Sequence, residues 1–385
     1  MKLPTKPRVL VIYNRDFEGA EADPENKARE DIKGIAEHVV SLLASSGFVA
    51  EGCGITDDVS GGLASIVAFR PDVVFNLCES IGGDNRFEPL LPMMLEREGL
   101  AYTGSGPLTL ALALHKHKTK DVLRARGVPT PEAVYVTTPD VSGVSLPFPL
   151  IVKPSREDAS VGIYGDSVVH DRAALEQRVT FVLSRYRQGA LVERYIEGRE
   201  IYVSMLDRPQ GAEPQVLPFF EIDFSDMPPG RPRIVSFEGK WVEDSDEFRG
   251  TKPIACTDLS PEMVASISRT ALTAFQALEL RDYGRLDIRL DADTKIPYVI
   301  DVNPNCDLSD VAGGFAKAAR AAGLGYDEVI LRIVELALQR RPHADTIPLA
   351  ARSRPPHRDH LGGGDVPAGR GVVRERAARR RVRSG

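Results

Sequence analysis

The stretch R-L-D-I-R-L-D-A-D-T-K-I-P-Y-V-I-D-V-N-P-N, from Arg285 to Asn305, decides the fold of this chain. Its first half alternates apolar Leu286, Ile288 and Leu290 with charged residues, which is typical of a strand with one buried face. Its second half alternates in the same way. The segment D-A-D-T-K between them has the composition of a turn. The two halves are therefore predicted to pair as an antiparallel hairpin.

Pairing brings the polar side chains of this hairpin onto one face. Asp287 would lie beside Asp301 and Asn303, with Arg285 one strand position away. Carboxylate and amide oxygens are ligands that suit Mg²⁺, which also takes phosphate oxygens. The pattern thus predicts a metal site, and the spacing alone leaves open the alternative of a solvated face that carries its charges at random.

A second polar segment follows the apolar strand P-L-I-V-K, where Lys153 leads into the loop S-R-E-D-A-S-V-G at residues 155–162. A cation beside backbone N–H donors is what a polyphosphate requires. The chain has neither the G-x-x-x-x-G-K-[ST] nor the G-x-G-x-x-G motif, which excludes a P-loop and a dinucleotide fingerprint. An exposed lysine at a strand end remains the alternative. A third segment, A-L-V-E-R-Y-I-E-G-R-E, ends a strand with Glu193, where a carboxylate could meet an adenine amino group.

Taken in order, these segments resemble the ATP-grasp superfamily, and most of all the D-alanine–D-alanine ligases. The resemblance spans roughly residues 70 to 335. It is carried by A-Y-T-G-S-G-P-L with the following His115-Lys116, by P-L-I-V-K-P-S-R-E-D-A-S-V-G, by L-V-E-R-Y-I-E-G-R-E, and by R-L-D-I-R-L with D-V-N-P-N.

The resemblance implies a role for each matched residue, and it implies ATP and two Mg²⁺ ions, with Mn²⁺ as an alternative ion. Lys116 and Lys153 would bind phosphate. Arg285 would stabilise the tetrahedral intermediate, and Ser160 would lie in the loop that closes over the phosphates. The remaining expected ligands are Val161 and Gly162 in that loop, Glu193, Arg194 and Ile196 at the adenine hinge, Glu200 at the ribose, and Asp287, Asp301 and Asn303 at the metal. The family usually has glutamate where Asp301 stands.

The segments that would meet the substrates depart from the D-alanine ligases. The first strand ends in Y-N-R-D-F-E at residues 13–18, and N-L-C-E at residues 76–79 replaces the expected histidine-glycine pair. After Asn303 the expected Ser-Pro-Gly is replaced by Asn305-Cys306-Asp307. We therefore predict an ATP-dependent carboxylate–amine ligase that forms an amide or peptide bond through an acyl phosphate, with altered substrate subsites.

Two alternatives remain open. One is a genuine D-alanine–D-alanine ligase of peptidoglycan synthesis, in which Glu18, Glu79 or Asp307 supplies the ammonium contact. The other is a nucleotide-binding protein without ligase activity. In either ligase hypothesis the partners are small carboxylates and amines, such as amino acids or peptides. Trp241, the only tryptophan, is a candidate substrate contact.

The predicted fold class is mixed α/β and α+β. Four regions are expected: an N-terminal doubly wound parallel-sheet domain at 1–114, a central ATP-grasp lobe at 115–213, a C-terminal lobe with the metal site at 214–338, and a basic disordered tail at 339–385. The resemblance also suggests a homodimer.

The composition is ordinary for a globular protein. The 385 residues are 42% hydrophobic and carry a net charge of −6, which does not favour nucleic-acid binding. The four cysteines form no C-x-x-C pair, so neither a zinc site nor a disulfide framework is predicted. No apolar stretch approaches the roughly 20 residues that cross a bilayer, and we predict a cytoplasmic protein without a membrane partner.

Overall fold

The computed structural model describes residues 6–15, 32–311 and 313–340. It begins with a three-stranded parallel sheet in the order β2-β1-β3, flanked by helices on both faces. Strand β1 is buried on both faces because its residues form a continuous apolar run. The elements of this unit are β1 (Arg8–Asn14), α1 (Ile32–Ser45), β2 (Val49–Ile55), α2 (Val59–Phe69), β3 (Val73–Asn76) and α3 (Leu90–Glu98). The predicted parallel α/β unit is confirmed. Strand β2 does not stand out in the sequence, because V-A-E-G-C-G-I contains two glycines and a glutamate.

Two consecutive helices follow, α4 (Pro107–Leu114) and α5 (Lys116–Ala125). The chain leaves the helical conformation at His115, which has φ −89° and ψ 77°. The Lys116 backbone N–H donates to the Ser155 carbonyl instead of continuing α4. The break places the start of α5, and the side chain of Lys116, against the loop that follows Lys153.

A four-stranded antiparallel sheet in the order β4-β7-β5-β6 forms the second unit. Helix α6 covers it, and Leu150, Val152, Leu175 and Val179 are among its buried core residues. The elements are β4 (Ala133–Val136), β5 (Leu150–Pro154), β6 (Val168–Val169), α6 (Arg172–Tyr186) and β7 (Ala190–Arg194). Lys153 and Glu193 therefore stand on neighbouring strands of one sheet.

A six-stranded antiparallel sheet forms the third unit, in the order β11-β10-β8-β12-β13 with β9 paired to β8. Helix α9 packs on it through Ile267, Ala271 and Phe275. The elements are β8 (Gly198–Leu206), β9 (Gln215–Val216), β10 (Phe220–Asp223), α7 (Phe237–Trp241), α8 (Asp246–Arg249), β11 (Lys252–Ala255), α9 (Pro261–Ala277), β12 (Tyr283–Asp291) and β13 (Pro297–Asn303). Strand β8 lies within the region expected to be the central lobe, yet it pairs with β12 of the third unit. The domain boundaries drawn from the sequence stay predictions.

Two last helices, α10 (Gly314–Ala321) and α11 (Tyr326–Gln339), pack back onto the parallel sheet. Arg340, which follows α11, ties the end of this helix to the residue before β12, because its guanidinium pairs with the fully buried Asp282. The predicted tail from residue 341 onward lies outside the described residues. Among the described residues, none of the helices is both long and apolar enough to span a bilayer.

Candidate active site

The β12–β13 hairpin forms as predicted and sets its polar residues in register. Asp287 pairs with Asp301 and Arg285 pairs with Asn303, and the register shifts between Asp287 and Ile288 as in a β-bulge. The Arg285 guanidinium donates to both oxygens of Asp287, at 2.7 and 3.0 Å. Burial lowers the pKa of Arg285, but the Asp287 carboxylate outweighs burial and raises it. One hairpin face thus holds a fixed cation beside two carboxylates and an amide.

Lys116 connects this face to the loop after β5. Its Nζ lies 2.8 and 2.9 Å from the two Asp301 oxygens and 2.9 Å from Asp158 Oδ1. Burial would lower the pKa of this buried lysine, but the two carboxylates raise it further than burial lowers it. For Asp301 the directions are reversed: burial raises the pKa of the carboxyl group, and the nearby Lys116 and Lys153 lower it by more. Lys116 is therefore a charged ammonium group whose partners come from two different units.

Glu193 is fully buried between two lysines. Lys153 Nζ lies 2.7 Å from Glu193 Oε2, and Lys120 Nζ lies 2.8 Å from Glu193 Oε1. Burial raises the pKa of Glu193, but the two ammonium groups lower it below its usual value. Lys120 did not stand out in the sequence. Its spacing of four residues after Lys116 on α5, which puts both on one helix face, is the signal that could have found it.

The loop expected to cover the phosphates is held against α7. Ser160 Oγ donates to the Val235 carbonyl at 2.9 Å, and Trp241 Nε1 donates to the Ala159 carbonyl at 2.9 Å. Ala159 and Ser160 both have positive φ, 53° and 63°, a conformation that costs energy for residues with a side chain. The candidate substrate contact Trp241 therefore lines the cavity, and its indole N–H contacts the loop.

Of five expected nucleotide ligands, two are charged residues that pair with other side chains of the protein, and three are buried. Glu200 pairs with Arg289 at 3.0 Å, both buried, and burial raises the pKa of Glu200 more than Arg289 lowers it. Arg194 pairs with Asp291 at 3.1 Å, and Ile196 is buried. Val161 and Gly162 are buried, and a Cβ on Gly162 (φ 76°) would come within 2.4 Å of Pro154.

One cavity of about 700 Å³ collects most of these side chains. Of the expected site residues, those that line it are Lys116, Lys153, Ser160, Glu193, Arg194, Ile196, Glu200, Arg285, Asp287, Asp301 and Asn303. Val161 and Gly162 are not among the lining residues. The structure therefore brings residues of four separate sequence segments to one space between the two antiparallel sheets.

We call the side of the cavity formed by Lys116, Lys153, Glu193, Ile196 and Glu200 the lysine side. We call a second group of lining residues, Asn14, Glu79, Glu88, Asn305 and Asp307, the asparagine side. Asn14 ends β1, and Glu79 and Glu88 follow β3, so these three lie at the edge of the parallel sheet where a ligand is expected. Asn305 and Asp307 follow β13 of the third unit. Glu18 lies outside the described residues.

Asn305 joins two units on the asparagine side. Its Oδ1 accepts from Tyr283 Oη at 2.9 Å, and its Nδ2 lies 3.2 Å from both the Cys78 carbonyl and Glu88 Oε1. Asn14 Oδ1 accepts the Glu79 backbone N–H at 3.1 Å. Burial raises the pKa of Glu88 well above its usual value, the Asn305 hydrogen bond lowers it by less, and Asp158 and Glu79 raise it further. Sequence reasoning noted Asn305 only as a departure from a pattern, and its role as a bridge required the structure.

Two antiparallel sheets that enclose one cavity, with a parallel-sheet domain before them, define an ATP-grasp protein. The model of the D-ala D-ala ligase C-terminus family matches residues 123–335, more than half of the chain. The chain belongs to the D-alanine–D-alanine ligase family, and it is an ATP-dependent ligase that forms C–N bonds.

Two relatives match most of the chain. The chain is 33% identical to a D-alanine–D-alanine ligase of Chromohalobacter salexigens, over 85% of this chain and 93% of that protein. It is 34% identical to the uncharacterized protein y4sG of Sinorhizobium fredii, over 86% and 97%. The solved structure of D-alanine–D-alanine ligase from Bacillus anthracis complexed with ATP is similar in fold, with a TM-score of 0.66 and 21% identity over 88% of this chain and 99% of that one. The predicted resemblance and fold class are confirmed, whereas the roles of individual residues stay predictions.

Proposed function

We propose that this protein activates the carboxylate of an amino acid or peptide as an acyl phosphate and joins it to an amine, at the cavity between the two sheets. The observation that carries the proposal is the meeting of Lys116, Lys153 and the β12–β13 polar face in that one cavity. The proposal includes ATP on the lysine side, where the chain offers ammonium groups, and the organic substrates on the asparagine side.

The proposed reaction has two steps. The γ-phosphoryl group moves from ATP to a carboxylate oxygen, and ADP leaves. The amine nitrogen then attacks the acyl carbon, a C–N bond forms, the bond to phosphate breaks, and the nitrogen loses a proton. Arg285 is held in place by Asp287 and is suited to stabilise the oxyanion of the tetrahedral intermediate. The loop around Ser160 would exclude water, which otherwise hydrolyses the acyl phosphate.

The hairpin face fits a divalent ion. Asp287, Asp301 and Asn303 supply hard oxygen donors on one face, and each carboxylate already balances a cation, Arg285 or Lys116. When bound there, Mg²⁺ would neutralise phosphate charge during transfer. Mn²⁺ is the alternative ion. Lys116 would then share Asp301 with the ion, which keeps the ammonium near the phosphates.

The substrate pair is the finer part of the proposal. The residues of the asparagine side that depart from the D-alanine ligases favour a substrate pair other than two D-alanines. Asn305 is one of them, and its amide contacts the Cys78 carbonyl and Glu88 on this side. The second candidate is D-alanine–D-alanine ligation itself, which is favoured by the Chromohalobacter relative that carries that name. A homodimer and a cytoplasmic location stay predictions.

The decisive test is ADP and phosphate release with Mg-ATP over a panel of D- and L-amino acids, singly and in pairs, with mass spectrometry of products. The control is the same chain with Asp301→Ala, which should lose turnover. Dipeptide formation from D-alanine alone would select the second candidate. Turnover only with another pair would support the altered-subsite proposal. The absence of ATP turnover and of any product across amino acids and peptides would contradict both.

A further inference from the structure

Lys120 is a second buried partner of the Glu193 carboxylate. Its side chain is 3% exposed and that of Glu193 is 1% exposed. Lys120 Nζ also donates to Thr130 Oγ1 at 2.9 Å, and Thr130 in turn donates to the Val299 carbonyl at 2.8 Å. This chain of hydrogen bonds fixes the ammonium group relative to β13. Lys120 does not line the cavity, whereas Glu193 and Lys153 do.

Under the proposed function, the buried Glu193 carboxylate would lose an ammonium partner whenever nucleotide binds. If Lys153 binds nucleotide phosphate, its ammonium group must move away from Glu193 Oε2 or be shared with the phosphate. A buried carboxylate that loses its partner is strongly destabilised, because neither water nor a counter-ion solvates it. With Lys153 as its only partner, Glu193 would hold Lys153 back and oppose nucleotide binding.

We propose that Lys120 is a positioning residue for ATP: it keeps Glu193 paired, so that Lys153 can transfer between Glu193 and the nucleotide phosphates. The inference rests on the proposed phosphate-binding role of Lys153. Lys120 acts through Glu193 and from behind the cavity wall, without contact to the nucleotide. Helix α5 thus carries two cations one turn apart. Lys116 pairs with Asp301 on the hairpin face, and Lys120 pairs with Glu193 on the sheet that carries Lys153.

A purely structural role for Lys120 is the competing explanation, because the same side chain ties α5 to Thr130. The two explanations differ in how Lys120 depends on Glu193. In our proposal Lys120 matters for nucleotide affinity only while Glu193 is charged. A structural tie would lower stability with either residue at position 193 and would not change affinity in a way that depends on that residue.

The test uses the full chain and the non-hydrolysable analogue AMP-PNP with Mg²⁺, titrated by calorimetry. The variants are K120M, E193Q and K120M/E193Q. The matched control is K118M, because Lys118 lies on the same helix with its side chain 59% exposed. Free energies of unfolding are measured in urea for every variant. Where a substrate pair is known, kcat and KM for ATP are added.

We expect K120M to weaken AMP-PNP binding about tenfold or more and K118M to change it less than about twofold. In the E193Q background K120M should have less than about a twofold effect on binding. With substrate, K120M should raise KM for ATP while kcat at saturating ATP changes little. If K120M alone does not fold, a loss of affinity of about tenfold in K120M/E193Q relative to E193Q still overturns the inference.

Three results would overturn the inference. These are wild-type affinity in K120M, a loss of affinity in K120M that persists undiminished in the E193Q background, and a fall in kcat with an unchanged KM for ATP. The titration contains no organic substrate. The inference on Lys120 therefore stands even if no amino acid of the panel is turned over. If the wild-type chain itself did not bind AMP-PNP, the proposed function and this inference would both be overturned.

Discussion

The two sides of the cavity differ in how their buried polar side chains are paired. On the lysine side, charges neutralise one another: Glu193 pairs with two lysines, Glu200 with Arg289, and Lys116 with two aspartates. On the asparagine side, an amide joins the parallel-sheet domain to the β12–β13 unit by hydrogen bonds. A ligand on the lysine side must therefore exchange with internal ion pairs, whereas the asparagine side depends on how two units meet.

This difference predicts separable effects of mutation. Changes on the hairpin face, which serves both sides, should be the most severe. Changes on the asparagine side should alter the use of organic substrates without altering nucleotide binding.

The largest effect is expected from Asp301→Asn. This change removes a carboxylate from the metal face and one of the two partners of Lys116. We expect kcat/KM to fall by about 10³-fold, equivalent to about 4 kcal/mol, because the charge that holds the divalent ion is lost. Asp293→Asn, an exposed position in the same hairpin turn, is the control. Initial rates over a range of Mg²⁺ concentrations provide the measurement, and full activity at ordinary Mg²⁺ would remove Asp301 from the metal site.

Arg285→Lys should follow, with a fall in kcat of about 10²- to 10³-fold. Lysine cannot reproduce the two parallel hydrogen bonds to Asp287 or the planar guanidinium that would face the oxyanion. Affinity for AMP-PNP should change little, because Arg285 acts on the acyl group. Arg269→Lys on the exposed face of α9 is the control. A large loss of nucleotide affinity with an intact kcat would assign Arg285 to the lysine side.

Asn305→Asp should raise KM for the organic substrates about 10- to 100-fold, while KM for ATP stays within about twofold. The substitution sets a carboxylate oxygen against the Cys78 carbonyl and Glu88, where an amide donor stood. Tyr283→Phe removes only the hydroxyl that donates to Asn305 and should have a smaller effect in the same direction. Equal rises in the two KM values would show that the two sides are not separable.

Trp241→Phe should have the smallest effect of the four. It removes the hydrogen bond to the Ala159 carbonyl, which contributes about 1 kcal/mol. The equilibrium constant for loop closure should therefore fall about fivefold. We expect more phosphate release per amide formed, because water reaches the acyl phosphate. The neighbouring, partly exposed Val242→Ala is the control. An unchanged ratio of phosphate to amide would show that this contact does not govern closure.

The sequence by itself determined the hairpin and its polar face. Strand alternation with a period of two, and a turn between the strands, predicted a hairpin with a charged face, whereas the β-bulge that sets Asp287 opposite Asp301 required the structure. The same local logic found β5 with Lys153 at its end and β7 with Glu193. These features follow from residues that are close in the chain, so pattern reasoning suffices for them.

Only the tertiary structure decided which distant charges meet. Helix α5 could have been the end of one long helix, and the break at His115 instead turns Lys116 and Lys120 toward carboxylates 185 and 73 residues further along the chain. Asn305 could likewise have been a turn residue, and it became a bridge to the segment after β3. Burial explains both outcomes: a charge or an amide removed from water must find a partner, and the fold, not the local sequence, determines which partner is near.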